Sequence, residues 1–257
     1  MLVLAIYNLR GNEALLAREL AAVLKRTVYE ASSRLRAPGG GPSVIASFAE
    51  PGAAREAAAV LHARGFDTLL LDADEIETDA GRCLVRAFEL GAEAMRVEAG
   101  GARLEARYQD VELLLRGVRI LVRRPAAPRT TRKLSLTRAA LTGGLLVTKV
   151  VAVPGRQAAA EREGFLHLYA RGLPPLVWRE TALDYRSLAG ELLPSRQANF
   201  ARVVAELRRR CQQAAYDERL ANPAGQAQLL GPTLPPAENL DVAISVLAAA
   251  LRRPATP

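Results

Sequence analysis

The chain opens on an apolar run, Leu2–Leu9, short enough for one strand. Gly11-Asn12 interrupts it, and Asn12 suits the cap of a helix in which Leu16, Leu20, Val23 and Leu24 recur at helical spacing. Thr27-Val28-Tyr29-Glu30 places a hydroxyl three residues before a carboxylate. This is the pattern of a capping box, and it predicts a second helix with Val28, Ala31 and Leu35 on one face. Pro38-Gly39-Gly40-Gly41-Pro42 stops that helix, and Ser43–Phe48 predicts a strand. Pro51 fits the first turn of an Ala-rich helix carrying Ala53, Ala54, Ala57, Val60 and Leu61. Gly65 ends it, and Phe66–Leu71 predicts a third strand.

This path is strand, helix, helix, strand, helix, strand. With the Thr27-Val28-Tyr29-Glu30-Ala31 start, the Pro/Gly break and the helix closing on Gly65-Phe66, it resembles the small fold shared by two families. One is the C-terminal domain of the bacterial ribosomal stalk protein, the other the adaptor of the Clp protease. The resemblance covers residues 2–72 and implies an α+β sandwich for residues 1–72. The adaptor family implies an acidic and apolar pocket for a substrate's N-terminal residue; the stalk family implies a lysine-rich helix that contacts translation factors. Neither motif has a counterpart here, so no functional residue is carried over.

Residues 73–82 are polar and acidic (Asp74, Glu75, Glu77, Asp79) and read as a solvated linker. The pattern then changes to short strands. Leu84, Arg86, Phe88 and Leu90 flank an alternating strand, and Met95–Glu98 and Ala102–Tyr108 predict a hairpin about Gly100-Gly101. Val111–Val122 is longer and broken at Arg116-Gly117; Leu145–Val153, Phe165–Ala170 and Pro175–Arg179 are strand-like. Pro194-Ser195 opens an amphipathic helix to Cys211, with Phe200, Val203, Val204 and Leu207 on one face. This order, with the Tyr108-Gln109-Asp110-Val111 step, resembles the pleckstrin-homology-like fold, an antiparallel barrel closed by a C-terminal helix. A β-sandwich is the alternative. The expected fold class is therefore α+β: a β-α-α-β-α-β sandwich over 1–72, then a mostly β domain over 83–220 with a basic insertion at 123–156. Residues 221–257 read as a Pro-rich arm and a helix, Ala237–Leu251, whose stripe is Leu240, Ile244, Leu247 and Leu251.

Composition narrows the function. Half of the 257 residues are hydrophobic and 24% are charged, which supports a core and excludes a disordered chain. Aromatic residues make up 5%, with one Trp, so a base-stacking platform or aromatic sugar site has little to work with. No uncharged run approaches the roughly 18 residues of a membrane span. Two widely spaced cysteines, Cys83 and Cys211, give no disulfide framework and fit a reducing compartment. The N-terminal run lacks a basic leader and a small-residue cleavage site, so the expected location is cytoplasmic. The Arg, Ala and Leu bias points to a bacterial genome.

The net charge of +8 is concentrated. Residues 113–160 hold ten Lys and Arg and no Asp or Glu: Arg116, Arg119, Arg123, Arg124, Arg129, Arg132, Lys133, Arg138, Lys149 and Arg156. These cations are solvated, meet carboxylates elsewhere in the fold, or bind an anionic partner. Arg123, Arg124, Arg129, Arg132, Lys133 and Arg138 are the candidate partner- or anion-binding residues. The acidic linker lacks the glycine and glutamate of a calcium loop, the glycine runs lack the ending of a phosphate loop, and His62 and His167 have no ligand partners at metal spacing. No catalytic, metal or cofactor residue is assigned. The expected function is a non-enzymatic binding or adaptor protein for a protein or peptide partner, along a strand edge or beside the 195–211 helix. The alternatives are a nucleic-acid- or ribosome-associated factor using the basic segment, and an enzyme with dispersed catalytic residues.

Overall fold

The computed structural model describes residues 1–7, 9, 12–36, 41–122, 130–134, 148–152, 160–232 and 234–252. They fall into two compact units, one of Met1–Arg119 with Glu163–Pro257 and one of Ile120–Arg162. The chain is mixed α+β, as expected.

The larger unit begins with β1 (Leu2–Tyr7), α1 (Glu13–Leu24), α2 (Val28–Leu35), β2 (Ser43–Phe48), α3 (Pro51–Ala63) and β3 (Asp67–Asp72). The strands form an antiparallel sheet in the order β2-β1-β3. The local signals act as the sequence predicts. Asn12 Oδ1 accepts from Ala14 N at 2.9 Å. Thr27 Oγ1 accepts from Glu30 N, and the Glu30 carboxylate accepts from Thr27 N at 2.9 Å. β1 is apolar throughout because both of its faces are covered. Leu4 and Ile6 join a cluster with Ala17, Leu20, Leu61 and Phe66 of the helical layer. Val3 and Ala5 join a second cluster, with Val44, Leu69 and Leu71, on the opposite face.

That second face is covered from the far end of the chain. α5 (Pro223–Leu230) lies within the expected arm, and α6 (Pro236–Arg252) follows it. Asn222 caps α5 by accepting from Gly225 N at 2.7 Å, with Pro223 in its first turn. α6 is not a one-sided stripe. Every residue from Val242 to Ala248 is buried, so the helix is enclosed on all sides, as an all-round apolar helix requires. Its other neighbour is the larger sheet.

That sheet contains β4 (Cys83–Leu90), β5 (Ala94–Ala99), β6 (Ala102–Arg107), β7 (Val111–Val122), β10 (Ala160–Ala170), β11 (Leu176–Arg179) and β12 (Ala215–Leu220), in the order β12-β7-β10-β11-β4-β5-β6. The Gly100-Gly101 turn has positive φ at both residues, the two-residue hairpin geometry that glycine permits. α4 (Arg196–Arg210) covers one face: Phe200, Val203, Val204 and Leu207 cluster with Leu114, Leu166, Leu168 and Trp178. α6 covers the other, clustering with Leu113, Leu115, Phe165 and Tyr169. The expected antiparallel barrel is corrected here. The described sheet is open, and β11–β4 and β12–β7 are parallel pairs. Parallel neighbours need a crossover, and α4 supplies the one that returns β12 beside β7.

The smaller unit contains β8 (Thr130–Leu134) and β9 (Thr148–Ala152), an antiparallel pair in the register Thr130↔Ala152 to Leu134↔Thr148. Among the described residues, no helix is long and apolar enough to cross a membrane.

Two substitutions test the packing. Leu247 is fully buried between the two sheets, and Leu247→Ala should cost about 2–5 kcal/mol in a urea melt. Gly117 leaves room for the Phe165 ring, which a Cβ would meet at 2.1 Å. Gly117→Ala should cost about 1–3 kcal/mol by overpacking, and the same melt measures it.

Candidate functional site

Of the six candidate basic residues, Arg123, Arg124, Arg129 and Arg138 lie outside the described residues. Arg132 and Lys133 lie in β8, where the register sets Arg132 opposite Val150 and Lys133 opposite Lys149. The first two cations of the basic segment meet carboxylates. Arg116 lies 3.7 Å from Glu218, and Arg119 joins a cluster that includes the acidic segment.

In that segment Asp74 and Glu75 are exposed, while Glu77 and the half-exposed Asp79 meet partners elsewhere in the larger unit. Three arginines from three places in the larger unit converge on Asp79: Arg82 at 3.7 Å, Arg119 at 3.8 Å and Arg179 in direct contact. Arg82 is almost fully buried and also pairs with Asp241 of α6 at 2.5 Å. Glu77 accepts from the Tyr169 hydroxyl at 2.9 Å, and its backbone N–H donates to Ser245 Oγ of α6 at 2.9 Å. Glu163, fully buried, accepts from Arg119 Nε at 2.5 Å and from Thr181 through both N–H and hydroxyl. A buried guanidinium needs carboxylates, and residues 77–82 with α6 supply them.

The cluster fixes protonation states. Burial raises the Glu163 carboxyl, but its hydrogen bonds to Thr181 and Arg119 outweigh this and hold it below its ordinary range. Asp79 behaves alike, burial opposing the stronger pull of Arg179, Arg119 and Arg82. His167 is buried with its Nδ1 unpartnered. Burial, then the charges of Arg82, Arg179 and Arg119, push its pKa well below the usual histidine value, so it stays neutral. Burial pushes the Cys211 thiol up to about 12, which leaves it protonated. Among the described residues, no group of three or more His, Cys, Asp or Glu side chains could hold a metal ion.

One open concave surface among the described residues lies beside α4. Ser195 caps the helix by accepting from Ala198 N at 3.1 Å. The buried Asn199 accepts from Leu193 N at 2.8 Å and donates to Leu193 O at 3.0 Å, which pins the preceding loop to the first turn. A 3₁₀ segment, Arg186–Glu191, therefore runs along one flank, where Arg202 pairs with Glu191. The cleft between them has a volume of about 790 Å³, with Leu90, Leu188 and Val203 among its apolar walls and Arg202, Glu206 and Arg209 among its charged ones. A second hollow, about 980 Å³, shares Leu90 and Arg210 with it and extends to Gly91, Glu93 and Tyr108 at the β4–β5 turn. Leu192 and Leu193, beside the cleft in sequence, are 51% and 38% exposed. Glu206 accepts from both Arg209 (2.7 Å) and Arg210 (2.5 Å). Those bonds, Arg209's first, hold its carboxyl at about 2.

The cleft wall at 187–191 was not singled out from the sequence. No family model, curated protein or solved structure matches the chain.

The carboxyl shifts set a pH dependence. Glu163 and Asp79 titrate lower folded than unfolded, so their charged forms stabilise the fold at neutral pH. That contribution is complete above the ordinary carboxyl values of 4.5 and 3.8 and is lost as pH falls through the lower folded-state values. The melting temperature should therefore fall on acidification below that range. Glu163→Gln should lower it at pH 7 and flatten the acid slope, as followed by circular dichroism.

Proposed function

We propose that the chain is a cytoplasmic, non-enzymatic binding or adaptor protein that takes a peptide segment of a protein partner in the cleft between α4 and Arg186–Glu191. The observation that carries this reading is the cleft itself. It has an apolar floor, an arginine-rich rim and a volume within the usual range for binding sites. Leu90, Leu188 and Val203 favour apolar anchors on the peptide. Arg202, Arg209 and Arg210 hold their carboxylates with only part of their donor capacity, since each guanidinium carries five N–H donors. Acidic flanks on the peptide would use the rest. The element path of residues 2–72, with β1 central, supports the resemblance to the stalk and Clp-adaptor fold; fold analogy by itself assigns no residue.

A second reading, nucleic-acid binding by the basic segment, draws on the ten Lys and Arg of residues 113–160, which hold no Asp or Glu among them.

Two measurements separate these readings. Short fluorescent peptides with two leucines flanked by Asp and Glu should bind the wild-type chain, and Arg202→Glu with Arg209→Glu should weaken that binding at least about tenfold, the effect of losing charge-assisted contacts. Equal binding by the variant removes the cleft reading. For the second, Arg132→Gln with Lys133→Gln should flatten the salt dependence of duplex DNA binding by about one logarithmic unit per lost contact. An unchanged slope argues against the basic segment.

A further inference from the structure

We propose that the outer edge of β6 is a self-pairing surface through which two copies of this chain form a two-fold dimer, joining their seven-stranded sheets. The argument starts from the backbone. β5 and β6 pair in the register Ala94↔Arg107 to Ala99↔Ala102, and Tyr108 N donates to Glu93 O at 3.1 Å in the same register. In an antiparallel ladder hydrogen-bonded and non-hydrogen-bonded pairs alternate. Ala102, Leu104 and Ala106 therefore turn their N–H and C=O groups toward β5. Arg103, Glu105 and Arg107 turn theirs outward. Among the described residues no strand pairs with that edge.

The side chains and the length of the strand together select one register. On the charged face Arg96 pairs with Glu105 at 3.1 Å, and Arg103 pairs with Glu98 at 3.2 Å. Arg96 and Arg103 are 74% and 89% exposed, so this face is open to solvent. An antiparallel second copy can align with outward-pointing residues opposite one another in only a few ways. A two-fold axis through Arg103 sets it against its own copy; an axis through Glu105 sets that carboxylate against its copy and Arg103 against Arg107. Both oppose like charges. An axis through Leu104 sets Arg103 against Glu105 of the second copy, twice over. An axis through Ala106 sets Glu105 against Arg107, but β6 ends at Arg107, so only residues 105–107 would pair there, against 102–106 about Leu104.

In that register the charged face becomes two rows across four strands. One reads Arg96, Glu105, then Arg103 and Glu98 of the second copy. The other is its symmetry mate. Each row alternates in sign at every step. On the opposite face Leu104 meets its own copy beside the buried Ala106, so the apolar layer also continues. The interface is isologous and closed, as a two-fold contact must be. Charged residues usually guard a free edge against pairing; here they bar the registers centred on Arg103 and Glu105 and match this one. An edge contact of one short strand buries little surface, so the expected dimer is of micromolar strength.

The test is sedimentation velocity on the full chain from micromolar to submillimolar concentration. The wild type should pass from monomer to dimer. In the register about Leu104, Arg103→Glu opposes two carboxylates at both charged pairs and Glu105→Arg opposes two guanidiniums, so each alone should dimerise at least about tenfold more weakly. An equimolar mixture of the two should recover the dimer, because each then opposes its complement. A wild type monomeric throughout, variants that dimerise as the wild type does, or a mixture that stays monomeric would each overturn the proposal. If a charge reversal unfolds the chain, Glu105→Pro serves instead. Its N–H points outward, so the monomer loses no ladder bond while the dimer loses two. Undiminished dimerisation of that variant overturns the proposal as well.

Discussion

The larger unit depends on one helix being enclosed on every side. α6 carries apolar residues around its whole circumference from Val242 to Ala248, apart from Ser245. A helix of that kind has no face to offer water. It is stable here because two sheets supply its surroundings: Val3, Ala5, Leu69 and Leu71 from one, Leu113, Leu115, Phe165 and Tyr169 from the other. Each sheet likewise needs it, since each presents an apolar face that its other helices leave bare. The result is a succession of layers in which α1–α3, the small sheet, α5 with α6, the large sheet and α4 follow one another.

The polar positions of α6 belong to the same design. Asp241 and Ser245 are held by the 77–82 segment, through Arg82 and the backbone of Glu77. The apolar contacts set how deeply the helix sits, and the ionic contacts set its rotation and axial position, because charged hydrogen bonds are directional where apolar contact is not. Removal from water makes the same cluster costly if any member is lost. That cost explains why Glu163 is kept charged by three bonds and why His167, with three guanidiniums nearby, is kept neutral.

What could be read from the sequence is what is local. Asn12, Thr27-Glu30, Pro51 and Gly65 each act within one turn of their own position, and the element order of 2–72 follows from them. The Gly100-Gly101 hairpin and the Ser195 cap were legible for the same reason. The rest depends on partners far along the chain. Leu240, Ile244, Leu247 and Leu251 looked like a stripe because the pattern shows what a helix has, not how many surfaces meet it. The partners of Asp79 were not legible because Arg119 and Arg179 lie far from it in sequence. The parallel pairs β11–β4 and β12–β7 follow from crossovers that strand pattern does not encode. Asn222-Pro223 did carry a helix start, hidden in a stretch whose Ala, Gln and Pro content suggested an arm.

The placement of α5 and α6 has a temporal consequence. The strands of the sheet β2-β1-β3 are synthesised well before α5 and α6, which cover one of its faces. Until α6 emerges, Val3, Ala5, Val44, Leu69 and Leu71 form a finished apolar surface with nothing upon it. A nascent chain in that state is a natural client for a chaperone that recognises exposed apolar surface. Synthesis stalled before α6 would leave a product with its first layer folded and its centre open, well suited to recognition by quality-control proteases.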